Sequence, residues 1–302
     1  MSDIDAPCDV TVVTGLRRSL GRWYRAHGRE LPWRSKGAKR PDPYRVLVSE
    51  AMLQQTQVAT VMDYYKRFIA TWPTVGKLAA AGEQQVLRRW QGLGYYRRAL
   101  HLHAAAKKIA TDYGGRVPDT VEQLLALPGV GRYTAGAIAS IAFDRPEPIL
   151  DGNVARVLAR WFAITDPLGA PPTRARLWSL AEMMVPRRGA GDFNQALMDL
   201  GATVCVPRNP QCDRCPVARH CAARRKGMVD ELPVVRARRA PRQVTHHVVA
   251  VRRGSHPRSR KWRYLFEQRP SDGLWSRMWQ MPTAEGLAGR ADSKVMRAWV
   301  RR

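Results

Sequence analysis

The chain has 302 residues, 45% of them hydrophobic, and its 51 Lys and Arg outnumber 25 Asp and Glu to give a formal net charge of +26. That is enough chain for two domains, or three small ones, around a real apolar core. A charge so large points to a polyanion, either DNA, RNA or an anionic membrane surface, although an arginine-rich composition with solvated basic faces accounts for part of it. No stretch reaches the 18 or so consecutive apolar residues of a spanning helix. Residues 1–10 carry Asp3, Asp5 and Asp9 and no basic residue, the reverse of a secretory signal. The chain is therefore expected in the cytoplasm, where thiols stay reduced.

Taken in chain order, hydrophobic periodicity predicts helices over 12–26 and 43–70, the second with Val46, Leu47, Met52, Leu53, Val61, Met62, Tyr65 and Phe68 on one face. Helices over 75–81, 83–91, 96–113 and 120–126 follow, punctuated by Gly and Pro. The 134–142 stretch is rich in small residues and reads as a buried helix. Helices over 154–162, 173–185 and 193–205 complete the set. Alternating patterns suited to strands appear only at 244–252 and 262–268. Between the two regions, 229–242 holds two prolines and four arginines and reads as an exposed linker. The 60 residues after it are few for an independent α+β domain.

Four cysteines, Cys205, Cys212, Cys215 and Cys221, fall in one short segment with the spacing C-x6-C-x2-C-x5-C. Such a set can bind zinc, hold an iron–sulfur cluster or form disulfides. Disulfides fit poorly with a reducing compartment. The first gap is long for a zinc ribbon, and a compact thiolate loop suits a [4Fe–4S] cluster, with a zinc knuckle as the alternative. Cys8 lies far away and reads as a free thiol.

Leu127-Pro128-Gly129-Val130-Gly131 sits between two helical stretches. Pro128 stops the first. Gly129 and Gly131 permit positive φ and close backbone approach. The next helix would aim its free amides and positive dipole end at the turn, an arrangement suited to a phosphate. Read alone, the turn is equally an ordinary glycine-capped corner.

The run L-P-G-V-G-R-Y-T-A-G, then L-D-G-N-V-x-R-V-L from Leu150 to Leu158, then the cysteine set, resemble the helix–hairpin–helix DNA glycosylases, and within them the MutY-type adenine glycosylase family. L-P-W-R from Leu31, S-E-A-M-L-Q-Q-T-Q-V from Ser49, G-L-G-Y-Y from Gly92 and F-N-Q-A-L from Phe193 belong to the same resemblance. It covers roughly 15–225 densely. It implies a mainly α, helix–hairpin–helix glycosylase fold: a six-helix domain over 30–145, an iron–sulfur domain built from 1–29 and 146–228, a linker over 229–243, and a short, incomplete α+β segment related to MutT over 244–302. The implied activity is hydrolysis of the N-glycosidic bond of adenine mispaired with 8-oxoguanine or guanine in double-stranded DNA. The implied enzyme is monomeric, carries a [4Fe–4S] cluster on the four cysteines and has no membrane partner.

The resemblance also assigns roles. Glu50 matches the acid that protonates adenine N7, and Asp151 the carboxylate facing the sugar cation, with Asn153 placing it. Read on its own, Glu50 sits among Val46, Leu47 and Leu53; burial there would raise its pKa, and exposure would leave an ordinary helix glutamate. Asp151 reads independently as the N-cap of the next helix. Tyr133 stands where the endonuclease III type has a Schiff-base lysine, which implies a monofunctional enzyme without strong lyase activity. Ala155 replaces a second lysine found in some members. Gln55, with Thr56 beside it, matches a wedge at the orphaned base, and Tyr95 an intercalating ring. Trp33, Arg34 and Gln195 match the adenine pocket, Gly129 and Gly131 the phosphate-gripping hairpin, and Arg208 a DNA-facing loop between the first two cysteines. The MutT-related motifs at 264–270, 273–275 and 279–282 have no clear 8-oxoguanine-contacting loop after them, which implies weaker discrimination of that lesion.

Overall fold

The computed structural model describes residues 10–34, 40–235, 243–253, 262–270, 273, 275 and 277–286. Cys8 lies outside them. The chain divides into two compact units, residues 1–236 and 237–302.

The first unit is helical: α1 (Val10–His27), α2 (Pro43–Leu53), α3 (Val58–Thr71), α4 (Val75–Ala79), α5 (Glu83–Trp90), α6 (Arg97–Asp112), α7 (Val121–Leu125), α8 (Arg132–Phe143), α9 (Gly152–Trp161), α10 (Pro171–Met184), α11 (Ala190–Thr203) and α12 (Ala222–Arg225). Local signals explain their starts. Asp42 caps α2 by accepting from the Tyr44 and Arg45 amides at 2.8 and 3.3 Å, with Pro43 in the first turn. Thr120 caps α7 and Asp151 caps α9. Buried side chains recur at helical spacing, as with Val13, Leu16 and Leu20 on α1. Trp90, Tyr65, Phe68, Met52, Leu78 and Ile109 are among the largest fully buried groups and fill the α2–α6 half, where Trp72 and Trp90 meet Phe68 edge-on. The small-residue helix α8 is buried almost throughout and packs between α2 and α11.

Two expectations fail here. The single helix over 43–70 is two, α2 and α3, broken at Gln54–Gln57. Gln55 takes φ +57°, and the Arg98 guanidinium occupies the carbonyls of Ala51, Met52 and Gln54 that a continuous helix would use internally. Periodicity could not report this break, because the apolar face continues across it. The start of the proposed linker is also not exposed throughout: Asp230, Glu231 and Val235 are exposed, but the chain between them packs down. Leu232 is buried, its carbonyl accepts from Arg160 Nε at 2.8 Å, and the Val234 carbonyl accepts from the Leu168 amide at 3.1 Å.

The second unit holds short antiparallel pairs. β1 (Thr245–Val248) pairs with β6 (Thr283–Gly286), β2 (Arg252–Arg253) with β3 (Arg263–Tyr264), and β4 (Glu267–Gln268) with β5 (Trp279–Gln280). The 244–252 and 262–268 stretches thus contain strands, each shorter than its alternation suggested.

Candidate active site and cysteine centre

Glu50 lies on the buried face of α2, with 5% of its surface accessible. Burial, the largest influence, pushes its carboxyl up to about 7; Asp151 adds to the rise, while the Tyr133 hydroxyl and Arg34 oppose it. The structure thus brings together α2, the first turn of α8 and the cap of α9, which the sequence separates by about a hundred positions. Asp151 Oδ1 accepts from the Val154 amide at 2.7 Å and Oδ2 from Asn153 Nδ2 at 3.3 Å. Burial raises its pKa; the Val154 and Asn153 donors and the charge of Arg156 work the other way. The cap geometry and the reactive geometry coincide, since one oxygen is held by the helix amide. Tyr133 is partly buried; desolvation of its hydroxyl and then the Glu50 and Asp151 charges drive its pKa far up, and that hydroxyl also lies 3.9 Å from Met198 Sδ. The site therefore sets a carboxyl raised to about 7 beside a second carboxyl anchored on a helix amide, two acidic groups of the kind that acid-assisted cleavage of a glycosidic bond uses.

Arg34 stands at the edge of this group. Burial lowers the pKa of its guanidinium, and the Asp199 carboxylate more than reverses that; Glu50 also favours the charge. Asp199, fully buried on α11, takes Arg34 Nη1 and Nη2 at 2.8 and 2.9 Å and the Arg29 backbone amide and Nε at 2.9 and 2.8 Å. Arg34 lines a broad cleft with Arg29, Arg40, Asp144, Gly191 and Gln195. Gln195 is buried and donates to the Gly191 carbonyl at 3.3 Å. Trp33 is buried edge-on against Tyr65 and faces a neighbouring depression with Arg34.

The hairpin stands where the sequence placed it. Gly129 has φ +77°, and a Cβ there would meet His101 Cβ at 2.5 Å, so only glycine fits. Gly131 differs from expectation: its φ is −98°, an ordinary value, and it serves as the cap position of α8. Gln55, Thr56 and Tyr95 form a second group around Arg98. Gln55 and Tyr95 are exposed.

The four cysteines line one small pocket with Arg160, Trp161 and Arg224. Among the described residues no group of three or more His, Cys, Asp or Glu is placed to hold a single metal ion. Burial pushes the Cys215 thiol up to about 12 and raises Cys212 and Cys221. Their thiolates would exist chiefly as ligands, and Arg160 Nη1, 3.4 Å from Cys205 Sγ, supplies a positive neighbour. Arg160 also donates to the Val206 and Pro207 carbonyls at 2.8 and 3.2 Å, and Arg208 is exposed on the loop that follows.

Sequence reading missed the buried charges that join these groups. Arg156 donates to Asn153 Oδ1 at 2.8 Å, the Gly201 carbonyl at 2.8 Å and the Cys205 carbonyl at 2.9 Å, tying the Asp151 turn to the first cysteine. A Cβ at Gly201 would lie 2.9 Å from Asn153 Cβ, so α11 approaches the turn closely. Arg98, Arg156, Arg160 and Asp199 each sit in helical segments that look apolar or mixed, and no local signal marks them.

This arrangement places the chain in the helix–hairpin–helix class of base-excision proteins. The profile described as HhH-GPD superfamily base excision DNA repair protein matches residues 48–183, and that of the iron-sulfur binding domain of endonuclease III matches 205–221. The structure of a thermostable thymine-DNA glycosylase superposes with a TM-score of 0.64 at 30% identity, covering 72% of this chain and 98% of that one. An adenine DNA glycosylase of Rattus norvegicus is 49% identical over 237 residues, 74% of this chain and 45% of the relative. Another, from Mycolicibacterium smegmatis, is 44% identical over 205 residues, 68% of each chain. The chain belongs to the adenine DNA glycosylase family. It spans just under half the length of the mammalian and plant relatives it matches. Among the described residues no helix is long and apolar enough to cross a membrane.

Proposed function

We propose that this chain removes adenine from A:8-oxoguanine and A:G mispairs in double-stranded DNA, as a monomeric, monofunctional glycosylase of the cytoplasm. The observation that carries the reading is the buried Glu50, its carboxyl raised to about 7, beside Asp151 and Tyr133.

The target adenine leaves the stack, with Gln55 and Tyr95 entering the duplex beside it and Thr56 next to them. Trp33, Arg34 and Gln195 receive the base; the Gln195 amide offers both a donor and an acceptor to its edge. Glu50 donates its proton to adenine N7, so the C1′–N9 bond breaks with the electron pair leaving on a neutral base. Asp151, ionised, faces the oxocarbenium-like sugar, and Asn153 fixes its free oxygen. Water then adds to C1′ and gives up a proton, leaving an abasic site. Tyr133 has no amine, and Ala155 none either, so no Schiff base forms and the strand stays intact.

Gly129 and Gly131 hold a backbone phosphate, and Arg208 meets DNA from the cysteine loop. Cys205, Cys212, Cys215 and Cys221 would hold a [4Fe–4S] cluster that fixes the shape of this loop. In domain terms, 30–145 is the six-helix part, 1–29 with 146–228 the cluster part, 229–243 the connection, and 244–302 a MutT-like segment.

The test is single-turnover incubation with an A:8-oxoguanine duplex, with and without alkali, beside A:T and thymine-glycol duplexes. Breaks only after alkali, only at the mispaired adenine, and absent in Asp151→Asn support the reading. Alkali-independent breakage at thymine glycol would move the chain to endonuclease III chemistry, and equal amounts of iron and acid-labile sulfide would separate a cluster from zinc.

A further inference from the structure

Arg98, in the first turn of α6, is 8% exposed, and its two terminal nitrogens carry six contacts. Nη1 donates to the carbonyls of Ala51 and Met52 at 3.2 and 2.8 Å and to that of Gln54; Nη2 donates to Thr56 Oγ1 at 3.1 Å and to the Leu93 and Gly94 carbonyls at 3.2 Å each. The first four acceptors flank Gln55, and the last two immediately precede Tyr95. The Arg98 guanidinium also lies 5.5 Å from the Tyr95 ring and 5.5 Å from that of Trp90, and Trp90 Nε1 donates to the Gly94 carbonyl at 3.1 Å.

The two residues so bracketed share an uncommon backbone state. Gln55 has φ +57° and Tyr95 φ +47°, the left-handed region that side chains other than glycine rarely occupy. Such strain persists only where surrounding contacts over-determine it. Both side chains are exposed. A buried, planar, multidentate cation thus bridges two loops and holds each in a strained form that presents one side chain outward. Lysine could not replace it, since a single ammonium cannot span acceptors on two loops.

We propose that Arg98 is a positioning residue that locks Gln55 and Tyr95 into one rigid wedge, so that extrusion of the target nucleotide depends on a side chain that itself stays inside the protein. This rests on the reading of Gln55 and Tyr95 as wedge residues. Without Arg98 the two loops relax independently, and the ordering of both must then be met during extrusion.

The experiment follows extrusion without cleavage. A duplex carries 2′-fluoro-2-aminopurine opposite guanine; the fluorine destabilises the sugar cation and blocks base loss, and the fluorescence of the base rises when it leaves the stack. Arg98→Lys should slow the rise roughly tenfold, the scale of losing a charge-assisted hydrogen bond. Added to Gln55→Ala/Tyr95→Ala it should slow extrusion little further, because the residues act as one unit. Adenine release from a duplex with an abasic site opposite the adenine, which needs no unpairing, should fall far less than release from A:G.

Normal extrusion by Arg98→Lys, with slow extrusion by the wedge variant, overturns the proposal. So does a loss in Arg98→Lys that is equal on both adenine duplexes and fully additive, since that is a purely structural defect. Wild-type extrusion by Gln55→Ala/Tyr95→Ala defeats the wedge reading itself. Should Arg98→Lys melt early, Thr56→Val removes one Nη2 acceptor, and a smaller loss with the same substrate dependence is expected.

Discussion

The two units of this chain use charged and aromatic side chains in opposite ways. In the helical unit they go inside: Glu50, Arg98, Arg156, Arg160 and Asp199 are buried, each with partners. In the strand unit the large apolar groups Val248, Tyr264, Leu265, Phe266, Trp275 and Trp279 are exposed, and among the described residues four of six strands have two residues each. A helix satisfies its own backbone, so a buried position on it is free to carry a polar side chain aimed at a site. Two-residue strands satisfy little of their own backbone. The comparison predicts that chemistry and stability reside in the first unit.

The strongest test is Glu50→Gln, which should lower the single-turnover rate of adenine release by about 10²–10⁴-fold. The same change should raise thermal stability at alkaline pH. Because burial lifts the Glu50 carboxyl to about 7, its ionisation in the folded state costs stability that appears as pH rises above the unfolded value and is complete above 7. The gain is on the order of 3 kcal/mol at one pKa unit per 1.36 kcal/mol, read by melting at pH 8 against pH 4. A variant that is inactive but no more stable at pH 8 would show that Glu50 is not a buried acid.

Asp199→Asn should cost about 3–5 kcal/mol, because it leaves Arg34 and Arg29 without their shared anion. Burial raises the Asp199 pKa, but Arg34 and Arg29 hold it below the usual value, so its contribution persists above the unfolded value of about 3.9 and fades as pH falls below it. Denaturant melts of both proteins at pH 7 and pH 3 should therefore show a smaller gap at the lower value.

A milder effect belongs to wild-type pH dependence. Base release under single turnover should decline as pH rises through about 7, following loss of the Glu50 proton. A flat profile to pH 9 would assign the proton to another donor.

The smallest effect should come from the strand unit. Ending the chain at residue 236 should leave adenine release from A:G unchanged, while any preference for A:8-oxoguanine over A:G narrows. A large loss on A:G would break the division drawn here.

The sequence by itself determined the helices, the hairpin turn, the cysteine segment and the residue types able to act. These are short-range matters: helical spacing, caps such as Asp42 and Asp151, and a glycine where the turn demands positive φ. It also marked Tyr133 and Ala155 as lacking an amine. Tertiary structure alone decided that Glu50 is buried against Asp151 and Tyr133, that the apolar face over 43–70 is broken at Gln55, and that Gly131 needs no special conformation. It alone turned Arg98, Arg156 and Asp199 from ordinary helix residues into junctions between distant loops. The reason is physical: periodicity reports which face of a helix is apolar, whereas a carboxyl's pKa and a guanidinium's partners depend on what other segments deliver to that face.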